Sequence, residues 1–228
     1  MNRIHLVECP RDALQGWPHK ISTEDKITYY RTLLDVGFDT LDLGSFVSPR
    51  AVPSMANTDK VLSVLEDEAV LPKPGTRALV IVANERGAKQ ACAFKTVNDL
   101  GFPLSLSESF QQRNTGASIE EAFYRLEKIQ SICHNNDKRL VVYLSMGFGN
   151  PYGDSWHEDM LAKFSIKLHR DLGVGVIALS DTVGTASAQI VKKTFKEVVS
   201  ELPDVEFRAH LHLHATEGLN KIEAALNG

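Results

Sequence analysis

The sequence predicts an α/β protein of the (β/α)8 TIM-barrel class, broken off after its seventh strand–helix unit. Three observations predict it. Short β-rich runs alternate with longer segments of helical period. The first and seventh runs start at Ile4 and Glu206, so the mean repeat is about 34 residues and an eighth strand would start at about position 240, past Gly228. Polar or ionisable side chains gather at one end of six of the seven runs, the end where parallel α/β folds carry their chemistry. Repeated units of this kind need parallel strands joined by right-handed crossovers. That leaves a doubly wound sheet or a barrel, and the repeat arithmetic favours the barrel.

Taken in order, the strand runs begin near Ile4 (IHLVEC), Phe38 (FDTLDL), Thr76 (TRALVIVA), Phe102 (FPLSLS), Arg139 (RLVVYLS), Val174 (VGVIALS) and Glu206 (EFRAHLH). Ser22-Thr23-Glu24-Asp25 opens a helix in which Ile27, Tyr30 and Leu34 share a face, and Gly37 closes it. Ser118 with Glu121 forms a capping-box pattern ahead of a stripe of Ala122, Phe123, Leu126 and Ile129. Ser155 with Glu158 is expected to open a third helix, through Leu161, Phe164 and Leu168 to Gly173, and a last one covers Leu219 to Asn227.

The composition is that of an ordinary globular protein expected to form one domain over residues 1–228: 43% apolar, 24% charged and a net charge of −4 in 228 residues. No basic run suits a nucleic acid partner, and no apolar stretch reaches the roughly 18 to 20 residues that span a bilayer. Cys9, Cys92 and Cys133 are odd in number and lack C-x-x-C spacing, so each reads as a buried small apolar residue and not as part of a disulfide framework. With no room for a signal peptide ahead of the first strand, the expected compartment is the cytoplasm. Parallel barrels often associate, and a homodimer is the expected oligomer.

The ends of the strands carry Arg11 and Asp12, then Asp42, then Ser107 to Phe110 with Asn114 beyond, then the Gly-rich loop Met146 to Gly153, then Asp181 and Thr182, and finally His210, His212 and His214. The two-residue period of a strand points His212 and His214 to one face, and a carboxylate such as Asp12 would complete a site for a divalent ion such as Mn, Mg or Zn. A permanently charged Arg11 beside that ligand suits a developing oxyanion or enolate. In the plainer reading the histidines fill the interior through hydrogen bonds, Arg11 and Asp12 form a surface pair, and Asn114, Ser118 and Asp181 serve as turn and cap residues. Arg50, Lys73 and Arg113 read as solvated surface cations. The run Gly173 to Ala178 imitates a dinucleotide motif, but its glycines enter a strand instead of leaving one.

With these residues in place, the sequence resembles the 3-hydroxy-3-methylglutaryl-CoA lyases, barrel metallolyases related to the isopropylmalate and homocitrate synthases. The motifs are VECPRDALQ at 7–15, LDLGSFVSPRAVPSMAN at 41–57, SESFQQRNTGASIEEAF at 107–123, YLSMGFGNPYGD at 143–154, SDTVG at 180–184 and HLHATEG at 212–218. The resemblance implies that Asp12, His212 and His214 bind a divalent metal, Mg or Mn, and that Arg11 faces the thioester carbonyl. Gln15, Asn114, Asp181 and Thr182 then contact an acyl-CoA substrate. The metal would acidify the substrate hydroxyl and promote retro-Claisen cleavage to acetoacetate and acetyl-CoA, a step of leucine degradation. Asp42 stands where the family has Glu, and its shorter side chain is expected to weaken or displace its hydrogen bond to Arg11. Ala215 replaces a common Asp or Asn, and no cysteine matches the family's catalytic one. Two alternatives follow from these departures: a related lyase or aldolase acting on another 3-hydroxy acid or CoA thioester, and a non-catalytic metal-binding barrel.

Overall fold

The computed structural model describes every residue except 1–3, 69–71, 214, 215 and 217. Seven parallel strands alternate with helices, and the strands follow the sheet order β1-β2-β3-β4-β5-β6-β7. Sequential order with parallel pairing is what repeated right-handed βα units produce, and it is the strand order of the (β/α)8 class. The chain divides into two compact units, residues 1–101 with 131–139, and residues 102–130 with 140–228.

In the first unit the elements are β1 (Val7–Glu8), α1 (Pro10–Gln15), α2 (Thr23–Val36), β2 (Thr40–Ser45), a 3-10 turn (Pro53–Met55), α3 (Thr58–Asp67), β3 (Arg77–Ile81), α4 (Glu85–Cys92) and the start of β4 (Val97–Ser105). The α2 expectation holds in detail. The Ser22 hydroxyl accepts from the Asp25 N–H, Gly37 closes the helix in the left-handed region at φ 90°, and Ile27, Tyr30 and Leu34 are buried. All six residues of β2 are buried, as expected for a parallel strand covered on both faces. Gly44 is required there: a Cβ would stand 2.6 Å from the Thr58 side chain, whose Oγ1 accepts from the Ser45 N–H.

Strand β4 starts at Val97, five residues before the position its apolar pattern suggests. Asn98 and Asp99 hide the strand in the sequence, and the sheet satisfies both. Asn98 accepts from the Ala78 N–H at 2.8 Å, and Asp99 takes Arg77 and Arg139. The hydrophobic pattern fails wherever a buried polar group finds its partner from a neighbouring strand.

The second unit holds the rest of β4, then α5 (Glu108–Thr115), the start of α6 (Ile119–Asn135), β5 (Arg139–Ser145), α7 (Met160–Leu172), β6 (Val176–Asp181), α8 (Ala188–Glu201), β7 (Glu206–Leu211) and α9 (Gly218–Leu226). The capping box is reciprocal: the Glu121 N–H donates to Ser118 Oγ at 3.0 Å, and the Ser118 N–H to Glu121 Oε2 at 2.8 Å. Helix α7 ends at Gly173, φ 66°, as expected, but it starts at Met160 with Asp159 in the cap position. Ser155 does not cap it. The Trp156 indole N–H donates to the Gly147 carbonyl at 2.9 Å and Glu158 pairs with Lys193, so this stretch belongs to the loop after β5.

Candidate active site and metal centre

On the first unit, α1 begins directly after β1 with Pro10, whose fixed φ suits the first helical turn. Helical spacing puts Arg11 and Gln15 on one face, where Arg11 Nη1 donates to Gln15 Oε1 at 3.0 Å. Arg11 Nη1 also lies 3.4 Å from Asp12 Oδ1, and Arg11 Nε donates to Asp42 Oδ2 at 2.8 Å. The expected weakening of this last bond is therefore not observed. Asp42, from the buried strand β2, reaches the guanidinium at ordinary hydrogen-bond length despite its shorter side chain.

Besides Arg11, only the Gly44 backbone among the described residues helps to hold the charge of Asp42. Its side chain is fully buried, and Oδ1 has no hydrogen bond among the described residues. Burial pushes its carboxyl up to about 6, against the opposing pull of the Arg11 charge and hydrogen bond. Burial, with the Asp42 charge adding to it, also pushes the Cys9 thiol up to about 12, so Cys9 stays a protonated thiol at neutral pH; Cys133 is buried as expected, whereas Cys9 and Cys92 are only half-buried.

On the second unit, His210 sits near the end of β7, opposite Ser180 of β6 in the register. Its ring meets Tyr143 edge-on at 5.4 Å and the His212 ring at 5.4 Å between centroids. His212 lies just past the strand, and its backbone N–H donates to the Asp181 carbonyl at 3.2 Å. His214, one of the two expected imidazole ligands, is outside the described residues. The described histidine pair is thus His210 with His212, the same two-residue period displaced by one step. His210 stood in the sequence as part of the His-x-His-x-His run without an assigned role.

Asp181 is buried and committed to its own turn: Oδ1 accepts the Thr185 N–H and Oδ2 the Ala186 N–H, both at 3.1 Å, and Lys221 Nζ lies 3.5 Å from Oδ2. Thr182 Oγ1 accepts the Met146 N–H at 2.9 Å, which ties the loops after β5 and β6. Asn114 is exposed on the last turn of α5. Sequence reasoning missed Asp154, which accepts from Ser107 Oγ and from both the N–H and Oγ of Ser109, so pinning the Gly-rich loop. Beside it Arg113, exposed as its surface reading expects, lies 4.7 Å over the Tyr152 ring. It also missed Lys221, which no hydrophobic pattern would have placed in the interior.

Parallel strands in sequential order, alternating with helices, define the class as a (β/α)-barrel protein. The chain belongs to the HMGL-like family, which it matches over residues 4–228. It is 29% identical over 225 residues to a 3-hydroxy-3-isohexenylglutaryl-CoA/hydroxymethylglutaryl-CoA lyase of Pseudomonas aeruginosa, covering 98% of this chain and 73% of that protein. It is 30% identical to a rat cytoplasmic 3-hydroxy-3-methylglutaryl-CoA lyase, covering 99% of this chain and 67% of the relative. Among solved structures, the hydroxymethylglutaryl-CoA lyase of Pseudomonas aeruginosa superposes with a TM-score of 0.88 at 29% identity, covering 99% of this chain and 73% of that one. An HMG-CoA lyase from Acinetobacter baumannii, solved in complex with coenzyme A and 3-methylmalate, gives 0.87 at 25% identity, covering 97% and 70%.

Proposed function

We propose that this chain is the catalytic domain of a metal-dependent carbon–carbon lyase that cleaves 3-hydroxy-3-methylglutaryl-CoA to acetoacetate and acetyl-CoA. The observation that carries the reading is the Arg11 guanidinium fixed on buried Asp42, beside Asp12, in a chain that matches its family along residues 4–228. Asp12, His212 and His214 are the proposed ligands of a divalent ion, Mg or Mn, and His210 is a further donor. One carboxylate and neutral imidazoles are a donor set that such ions accept. When bound, the ion would supply Lewis acidity to the substrate's hydroxyl and carboxylate.

The protein's own groups do the rest. Cleavage takes the proton from the C3 hydroxyl, turns C3 into the ketone of acetoacetate and sends the C2–C3 bond pair onto the thioester as an enolate; water takes up the hydroxyl proton and returns one to C2, giving acetyl-CoA. Arg11 is permanently charged and faces that oxygen, and Asp42 holds its Nε so that the guanidinium needs no reorganisation as charge develops. Gln15 orients the same guanidinium and reaches substrate from the same helix face. Asn114 and Thr182 contact the acyl-CoA, while Asp181 holds the turn that carries Thr182. The test is acetoacetate release from 3-hydroxy-3-methylglutaryl-CoA by the product of the full open reading frame with Mg or Mn. Release abolished by EDTA and by Asp12→Ala is expected, and no release under any metal sinks the reading in favour of a non-catalytic barrel.

A second reading keeps the chemistry and changes the substrate. The Pseudomonas relative is named for a 3-hydroxy-3-isohexenylglutaryl-CoA substrate as well, so a longer C3 substituent is the natural alternative. A panel of C3-substituted thioesters separates the two. Relatives named for the cytoplasm and for the mitochondrion both occur, and no described helix is long and apolar enough to cross a membrane. Cell fractionation decides the cytoplasmic assignment, and light scattering the homodimer.

A further inference from the structure

Helix α9 is turned against its own hydrophobicity. Leu219, Ile222 and Leu226 are 77%, 43% and 55% exposed, whereas Lys221 and Ala224 are buried, Lys221 to 2%. Burying an ammonium group and its flexible stem is costly unless its hydrogen bonds and charge are met inside. Lys221 meets both at one place. Its Nζ donates to the Gly184 carbonyl at 2.8 Å and lies 3.5 Å from Asp181 Oδ2.

Those two acceptors bracket the turn at the end of β6, and that turn is a junction. The Asp181 carboxylate takes the N–H groups of Thr185 and Ala186, and its backbone carbonyl takes those of Gly184 and His212 at 3.2 Å each. Thr182 Oγ1 takes the N–H of Met146, which sits in the left-handed region at φ 56°, a conformation that an unbranched non-glycine residue keeps only where its surroundings impose it. A cation inserted beneath this turn neutralises the carboxylate and holds the Gly184 carbonyl inward. The His212 backbone then docks on a fixed edge.

We propose that Lys221 is a positioning residue that, through the Asp181–Gly184 turn, fixes the backbone of His212 and so presets the metal site. The proposal rests on the metal-site reading given above, in that His212 is taken as a ligand. Partners that orient a ligand without touching the ion typically contribute about 10- to 100-fold in metal affinity.

The experiment compares Mn(II) binding, by electron paramagnetic resonance of free Mn(II), with amide exchange at His212 and Met146 in the full-length protein. Lys221→Met is expected to weaken Mn(II) binding about tenfold or more and to speed exchange at both amides, with KM for substrate moving less than kcat. Because Lys221→Met strands a buried carboxylate and can lose its fold, the double variant Lys221→Met with Asp181→Asn removes the charge mismatch. It is expected to fold and to keep the Mn(II) defect. Wild-type Mn(II) affinity and wild-type exchange in the double variant would overturn the proposal, since charge balance would then be the whole role of the lysine. Faster exchange with unchanged Mn(II) binding overturns it too, by separating the turn from the metal site. If the wild-type protein binds no Mn(II) at all, the metal-site reading itself falls and takes the proposal with it.

Discussion

Asp42 on β2 and Asp99 on β4 belong to the same unit, are both fully buried and are both paired with arginine. There the likeness ends. Asp99 receives Arg77 Nε at 2.9 Å on one oxygen and Arg139 Nη2 at 2.8 Å on the other, and together they hold its carboxyl below the usual carboxylate range in spite of burial. Asp42 has one guanidinium and one oxygen without a partner among the described residues, and burial wins, raising it to about 6. A carboxylate that only holds strands together can have every lone pair met. Asp42 draws on a single guanidinium, so the cost of burying its charge is offset only in part.

The largest effect should come from breaking the saturated cluster. Asp99→Leu leaves two arginines facing apolar surface and should lower unfolding free energy by about 2–3 kcal/mol, less than for a wholly buried pair because both guanidiniums keep some water. Urea denaturation measures it, and the specific activity of the folded fraction should not change. Next is Arg11→Lys. It removes the planar fork and should cut turnover by about 10²-fold, as loss of one oxyanion donor does elsewhere, while shifting stability by less than about 1 kcal/mol. Steady-state kinetics beside a thermal melt would show an equal loss of both if Arg11 were merely structural.

A single substitution at both positions sharpens the contrast further. Asp99→Asn should cost about 2 kcal/mol, whereas Asp42→Asn should cost under about 1 kcal/mol, because it also removes the desolvation penalty of an underpaired buried charge. The smallest effect is in the pH dependence, and the two sites have opposite signs. A carboxyl raised in the folded state makes its contribution to stability at low pH and loses it as pH rises through the folded value, so Asp42 should erode stability between its ordinary 3.8 and about 6. Asp99, lowered on folding, contributes above the ordinary value and loses that contribution as pH falls through its own lowered value. Urea titrations across that range should flatten for Asp42→Asn between pH 3.8 and about 6, and for Asp99→Asn only at lower pH.

Much of the molecule could be read before it was seen. Ser22 with Gly37, Ser118 with Glu121, and Gly173 mark helix ends through interactions a few residues long, so they are written locally. The strand order follows from repetition and chirality. The start of β4 and the start of α7 were not legible, because Asp99 and Trp156 are explained by partners 40 and 9 residues away in the chain. That Arg11 and Asp12 stand together at the end of β1 could be anticipated from the sequence, but the 2.8 Å bond from Arg11 to Asp42 depends on how α1 leaves β1, and one methylene in the sequence does not report it.

By itself, then, the sequence determined the α/β class, the seven βα units, most helix boundaries and the residue types gathered at the strand ends, since each of these rests on periodicity, capping chemistry or composition acting over short stretches of chain. Tertiary structure alone decided which polar groups would be buried and at what cost: Asp42 left half-satisfied, Asp99 saturated, Lys221 turned inward while leucines of the same helix face out. The physical reason is that the free energy of a buried charge is set by the partners packed around it, and those come from elements far apart in the chain.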